Sequence, residues 1–179
     1  MKQTVCRMAL LALGLRLACA EQVQAASLPD DAVKAAVIYK VMLFTRWPSG
    51  AAAETPLTLC VLGRDEVAAA LPDIDGKQIG SRPLQVRSVA GQAPFSGCNA
   101  VYLAASERHR LDRLREQGGA EGLMTVVDCG GVLCHSAAVL SLAVEDGRLV
   151  FAVNRQQAEQ QGLVFSAQVL RLARLESAP

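Results

Sequence analysis

Six cysteines are the residues of this chain most able to do chemistry. Two lie in a segment with the features of an export signal, and four lie further along: Cys6 and Cys19, then Cys60, Cys98, Cys129 and Cys134. An even number of cysteines in an exported chain is typical of disulfides rather than of catalysis or metal binding. The last four cysteines therefore predict an extracytoplasmic domain held by two bridges.

Four cysteines can pair in three ways. We favour Cys60 with Cys98 and Cys129 with Cys134, because the strand that carries Cys60 and the strand predicted just after Cys98 are expected to be neighbours. The first bridge would close about 39 residues and contribute about 4 kcal/mol, whereas the second would close about six and contribute about 2 kcal/mol. We expect the short bridge to be the more easily reduced one, the alternative being that both are only structural.

His135 follows Cys134 directly and allows two alternatives to a disulfide. The string C-x4-C-H resembles a lengthened c-type haem attachment site, but the usual spacing between the cysteines is two residues. A zinc site of Asp128, Cys129, Cys134 and His135 would leave the first two cysteines to pair alone. We therefore expect neither cofactor nor metal, and we interpret His135 as a solvated loop residue.

No arrangement of catalytic residues is visible in the sequence. The G-x-S-x-G turn of hydrolases and the glycine-rich loops that bind phosphates are absent. His109 lies on the charged face of a predicted helix, where we expect it to face solvent. Asp128, Glu145 and Asp146 are explained by turn and edge positions. The sequence therefore predicts a protein that is not an enzyme.

Residues 1–26 predict an export signal, with cleavage after Ala20 or after Ala25. Lys2 and Arg7 precede an apolar stretch at residues 8–15, which is too short to span a bilayer. Loss of residues 1–20 would remove three of the 18 basic residues and none of the 17 acidic ones, giving a net charge of −2. This balance argues against nucleic acid or an anionic membrane as partner. No later stretch is long and apolar enough to insert into a membrane.

Residues 27–176 are expected to form one domain. Helical spacing predicts a first helix over 27–46, and strands then alternate with helices up to a hairpin around Asp146-Gly147. The other predicted strands are 57–62, 84–89, 100–103 and 123–127, and the hairpin joins 139–144 to 149–153. Further helices are predicted at 66–71, 107–117 and 154–161, and from Ser166. This alternation predicts an α/β domain with a mixed sheet of about five or six strands flanked by helices.

The first predicted helix carries an unusually wide apolar stripe, made of Val33, Val37, Ile38, Val41, Met42 and Phe44. A stripe wider than one sheet contact needs favours a homodimer, or at least an apolar interaction surface. The alternative is that this helix is buried centrally in the domain.

Several stretches resemble the YfiR-like family of periplasmic proteins. Residues 33–48, which read VKAAVIYKVMLFTRWP, are similar to the opening helix of that family. Residues 140–173, with EDGR and VFAVN, resemble its C-terminal part, and residues 59–63 and 97–103 also look like the family. The resemblance covers about residues 30–175 and implies the same two cysteine pairs.

The resemblance implies a periplasmic repressor. Such a protein binds the periplasmic sensor region of an inner-membrane diguanylate cyclase and restrains cyclic di-GMP synthesis, and with it biofilm formation, in a redox-responsive way. It also implies a homodimeric α/β domain. The alternative is a periplasmic small-molecule-binding module that serves another membrane sensor, such as a histidine kinase.

Overall fold

The structure, a computed structural model, describes residues 30–48, 56–90, 95–116, 122–134 and 137–176. The predicted export signal and His135 lie outside the described residues. The strands are β1 (Thr45–Arg46), β2 (Leu57–Leu62), β3 (Gln78–Ile79), β4 (Arg82–Val89), β5 (Ala100–Leu103), β6 (Met124–Asp128), β7 (Leu140–Glu145), β8 (Arg148–Asn154), β9 (Val164–Phe165) and β10 (Arg174–Glu176). The α-helices are α1 (Asp30–Leu43), α2 (Glu66–Ala70), α3 (Leu111–Glu116), α4 (Arg155–Gln160) and α5 (Ala167–Leu172).

The domain is built on a mixed sheet of eight strands in the order β10-β8-β7-β6-β5-β2-β4-β3. Strands β4, β2, β5, β6 and β7 run parallel, whereas β8 is antiparallel to β7 and β3 is antiparallel to β4. The α/β class was predicted correctly, but the expected five or six strands were too few. The strands at the two sheet edges, β3 and β10, have two and three residues, which is too short to show an alternating pattern.

The central strands are buried on both faces, as parallel strands covered by helices must be. Along β2, Leu59 and Val61 face a core shared with α1 and α2, whereas Cys60 and Leu62 face a second core shared with Leu111 of α3. Both disulfides belong to the second core or pack against it. The cysteines therefore lie on the opposite face of the sheet from α1.

Helix α1 is shorter than predicted and is turned relative to the expected stripe. It ends at Leu43 rather than at residue 46, because β1 pairs with β9 in a separate two-stranded sheet. The buried residues are Lys34, Ala35, Ile38, Val41 and Met42. Val37 is only half-buried and Phe44 remains 40% exposed. The helix is thus packed in the core along one side and open along another.

Three of the predicted helix starts are confirmed by their caps. The side chains of Asp65, Asn154 and Ser166 accept hydrogen bonds from backbone N–H groups three residues ahead, at 2.7, 3.1 and 3.4 Å. The start of the helix predicted at 107–117 is wrong, because the chain enters a 3-10 turn at Ala105–Arg110 and becomes α-helical only in α3.

The hairpin at Asp146-Gly147 is also confirmed. Both residues have positive φ, 51° and 70°, and the pairing of Glu145 with Arg148 leaves a two-residue turn between β7 and β8.

Candidate functional site

The short disulfide closes a ring of residues 129–134 between β6 and β7, which we call the cysteine ring. Its Cys129–Cys134 bond has Cα atoms 5.5 Å apart. The Cys129 N–H donates to the carbonyl of Leu142 at 2.7 Å, and the Val144 N–H donates to the carbonyl of Gly130 at 2.8 Å. The ring is therefore held against β7 on one side, while Val132 at its tip is 71% exposed.

The second disulfide lies in a different environment. Cys60 in β2 and Cys98 just before β5 are bonded with Cα atoms 5.8 Å apart, and β2 and β5 are adjacent parallel strands. The side chains are 0% and 6% exposed, and the Arg87 guanidinium lies 3.5 and 3.6 Å from the two sulfurs. A reductant therefore reaches this bridge less easily than the half-buried cysteines of the ring.

The carboxylate of Asp128 joins the cysteine ring to α1. One oxygen accepts a hydrogen bond from the Gly130 N–H at 3.1 Å, inside the ring. The other lies 2.7 Å from Nζ of Lys34, and the two side chains are only 14% and 8% exposed. Asp31 lies at 4.0 Å on the same helix. A short ion pair shielded from water thus connects the first helix to the start of the ring.

The carboxylate of Glu145 makes a similar connection on the other side. The Leu133 N–H of the ring donates to one oxygen at 3.1 Å, and Arg174 of β10 lies 2.6 Å from the other. The Leu133 N–H and then Arg174 hold the pKa of the Glu145 carboxyl below its usual range. The ring is therefore tied to the segment that directly follows α5.

An apolar groove opens on the α1 side of the sheet. It has a volume of about 620 Å³ and is lined by Val37, Val41, Phe44, Phe151, Val169 and Leu172, with Lys40, Gln168 and Arg171 around them. Phe44 of α1 and Leu172 of α5 are 40% and 76% exposed. Helices α1 and α5 form two walls of the groove. Asp128 connects the cysteine ring to α1 itself, whereas Glu145 connects it to β10, which begins two residues after α5 ends.

The crevice where α/β sheets often bind ligands is filled by the chain itself. It lies at the carboxyl ends of β2 and β5, where the strand order changes direction. There the Tyr102 hydroxyl donates to Asp65 at 2.9 Å. Burial and then the Asp65 charge raise the pKa of the Tyr102 phenol. A Cβ on Gly63 would lie 2.7 Å from the Cβ of Ala104. Side chains of the protein thus occupy the crevice between the ends of β2 and β5.

The structure places the other residues considered from the sequence apart from one another. His109 is exposed, with its Nδ1 3.0 Å from the Ser106 carbonyl oxygen, and Asp146 lies in the hairpin turn. Within the described ranges, no three His, Cys, Asp or Glu side chains come together as a metal site.

Sequence reasoning missed the roles of Lys34, Glu145 and Arg174. The burial of Lys34 could have been predicted from its position, because it lies one turn before Ile38 on the apolar side of α1. The contact between Glu145 and Arg174 joins residues 29 positions apart on strands β7 and β10, and no sequence pattern predicts it.

Comparison with known protein families shows to which family this chain is related. The profile of the family described as YfiR/HmsC-like matches residues 31–174, which include both disulfides and all groove residues. The chain belongs to the YfiR/HmsC-like family. The resemblance found in the sequence is thereby confirmed. No curated protein matches this YfiR/HmsC-like chain. No helix in the part of the chain that the structure describes is long and apolar enough to cross a bilayer.

Proposed function

We propose that the protein is a periplasmic regulator that binds and inhibits the sensor region of an inner-membrane diguanylate cyclase, lowering cyclic di-GMP in a redox-responsive way. Membership of the YfiR/HmsC-like family supports the broader role, because that family is associated with periplasmic regulation of diguanylate cyclase systems and with regulation rather than catalysis. The single observation that supports the redox response is the pair of carboxylates that ties the cysteine ring to α1, one wall of the groove, and to β10, the strand that follows the other wall.

The groove is the proposed contact surface for the cyclase. Apolar side chains that remain exposed beside a cavity of this size favour an interaction with apolar side chains of a partner. Lys40 and Arg171 are the charged residues at the groove, and both are positive. The matching segment of the cyclase is therefore apolar and flanked by carboxylates.

Reduction of the cysteine ring would change this surface through the two carboxylates. An open chain at residues 129–134 no longer fixes the Gly130 and Leu133 N–H groups, which donate to Asp128 and Glu145. Those carboxylates also hold Lys34 of α1 and Arg174 after α5. Loosening of the ring therefore releases a contact to α1 and a contact to the strand that follows α5, the groove changes shape, and inhibition of the cyclase weakens.

A membrane capture experiment tests the proposal. A tagged copy of the oxidised protein should retain a diguanylate cyclase from detergent-solubilised membranes, and Phe44→Asp and Leu172→Asp should each abolish this capture. Val164→Asp is the matched control, because Val164 is also an exposed apolar residue, 48% accessible, but does not line the groove. Retention of the cyclase by both groove variants would refute the contact surface.

A second candidate function is a small-molecule-binding module that serves another membrane sensor. The volume of the groove favours it, since about 620 Å³ lies within the range of ligand cavities. Native mass spectrometry of protein purified from periplasm separates the two functions. A bound small molecule that is lost in Phe44→Asp would support the binding module, and unliganded protein that still captures a cyclase would support the regulator.

A further inference from the structure

The two disulfides differ in burial, but both lie next to an arginine side chain. Each has an arginine beside it: Arg87 at the buried bridge, and Arg108 with its Nη1 4.0 Å from Sγ of Cys134 in the ring. Arg108 is exposed, and its Nε donates to the Ala105 carbonyl at 3.4 Å, which holds the guanidinium near the sulfur. A positive charge thus stands at a disulfide that solvent can reach.

A second cavity lies beside this sulfur. It has a volume of about 360 Å³ and is lined by Arg108, His109, Leu111, Asp112, Val127, Cys134 and Ala137. Cys134 contributes to its wall, whereas Cys129 does not. His109 adds a ring whose Nδ1 lies 3.0 Å from a carbonyl, and Asp112 is the one carboxylate among these residues. A small molecule entering this cavity meets Cys134 and the Arg108 charge together.

We propose that Cys134 is the sulfur attacked when the cysteine ring is reduced, and that Arg108 selects small thiols that carry a second negative charge, the class to which glutathione belongs. This inference rests on the proposed redox role and deepens it, because it names the reductant class and the residue that recognises it. Arg108 acts as a positioning residue for the incoming thiolate.

The reaction is a pair of thiol–disulfide exchanges. The thiolate of the small molecule forms a bond to Sγ of Cys134, the bond to Cys129 breaks, and its electron pair leaves on Sγ of Cys129, which takes a proton from water. A second thiolate then attacks the sulfur of the small molecule in the mixed disulfide. Cys134 leaves as a thiolate beside Arg108, and the ring has gained two electrons while two small thiols have become one disulfide.

Three small thiols of similar size test the charge selection, using the full-length protein without any partner. Mercaptoethanesulfonate, 2-mercaptoethanol and cysteamine differ only in carrying a negative, neutral or positive group. Rate constants for ring opening, expressed per thiolate, are measured by alkylation and peptide mass spectrometry. We expect the sulfonate to react fastest in wild type. Arg108→Gln should reduce the ratio of sulfonate to 2-mercaptoethanol rates about three- to fivefold, since a unit charge at this distance in water changes a rate by roughly fivefold.

Matched variants and one position-specific measurement complete the test. Arg108→Lys keeps the charge and should keep the ratio, and Arg87→Gln, at the other disulfide, should leave ring opening unchanged. At low conversion, the adduct should lie on Cys134 with Cys129 alkylated. An unchanged ratio in Arg108→Gln, or an adduct mainly on Cys129, would overturn the inference. Because no partner is present, failure to capture a cyclase would overturn the proposed function and leave this chemistry intact.

Discussion

Removal of the Lys34 side-chain charge is expected to destabilise the domain, because Lys34 pairs with a carboxylate that is largely shielded from water. Lys34→Met leaves the Asp128 carboxylate 14% exposed and without its 2.7 Å partner. Breaking a buried ion pair from one side costs about 3–5 kcal/mol. We expect the lower end, about 3 kcal/mol, because both side chains keep some contact with water and Asp128 keeps the Gly130 N–H. For a domain of this size the melting temperature should fall by about 6–12 °C.

The pairwise part of this cost is separable by a double-mutant cycle. Asp128→Asn keeps an oxygen for the Gly130 N–H but removes the charge, so Lys34→Met should cost less in that background than in wild type. The difference is the interaction energy of the pair, which we expect to lie at about 1.5–3 kcal/mol. Urea unfolding of the oxidised protein, followed by circular dichroism, measures all four variants.

The same cycle tests whether the cysteine ring holds the pair together. We expect the interaction energy to fall when both ring cysteines are serine, because Gly130 then no longer fixes the Asp128 carboxylate. Two results would contradict this coupling between the ring and the ion pair. Single variants that cost less than about 1 kcal/mol would place the pair among ordinary surface ion pairs. An interaction energy that the serine background leaves unchanged would show that ring and helix are independent.

Three further outcomes are expected. Replacing both cysteines of the buried bridge by serine should destabilise the domain by about 4 kcal/mol in urea unfolding, against about 2 kcal/mol for the same change in the ring, because the closed loops differ in length. Glu145→Gln should be less stable than wild type at pH 7. This difference should vanish in acid, since the folded pKa of Glu145 lies below its ordinary 4.5 and its stabilisation is lost as the pH falls through that lowered value. Sedimentation should show a dimer at about tens of micromolar, a concentration at which weak association is visible; a strict wild-type monomer would contradict the dimer.

Much of the architecture was readable from the sequence because its signals are local. The buried run of β2, the Asp146-Gly147 turn and the caps at Asp65 and Asn154 each depend on a few neighbouring residues. The edge strands β3 and β10 were not readable, because two or three residues become a strand only when a longer neighbour supplies the hydrogen bonds.

Some features of the candidate site could be predicted from the sequence and others could not. The four cysteines could be identified from the sequence. The difference in burial between the two disulfides could not, because it depends on how the sheet is assembled. The carboxylates of Asp128 and Glu145 looked like turn and edge residues, because each partner is distant in sequence: Lys34 lies 94 positions from Asp128. The groove likewise needs α1, α5 and Phe151 of β8 together. Contacts of this kind depend on the finished topology.

The order of the cysteine pairs has a consequence for how the protein matures. Each disulfide joins a cysteine to the next one along the described chain, first Cys60 with Cys98 and then Cys129 with Cys134. A chain that enters an oxidising compartment with its N-terminus first presents these four thiols in the order in which they must bond. An oxidase that joins each newly exported thiol to the preceding unpaired thiol therefore forms both native bonds directly. In an exported chain from which Cys6 and Cys19 have been removed, we therefore expect maturation to depend on an oxidase and not on an isomerase that exchanges wrongly paired sulfurs.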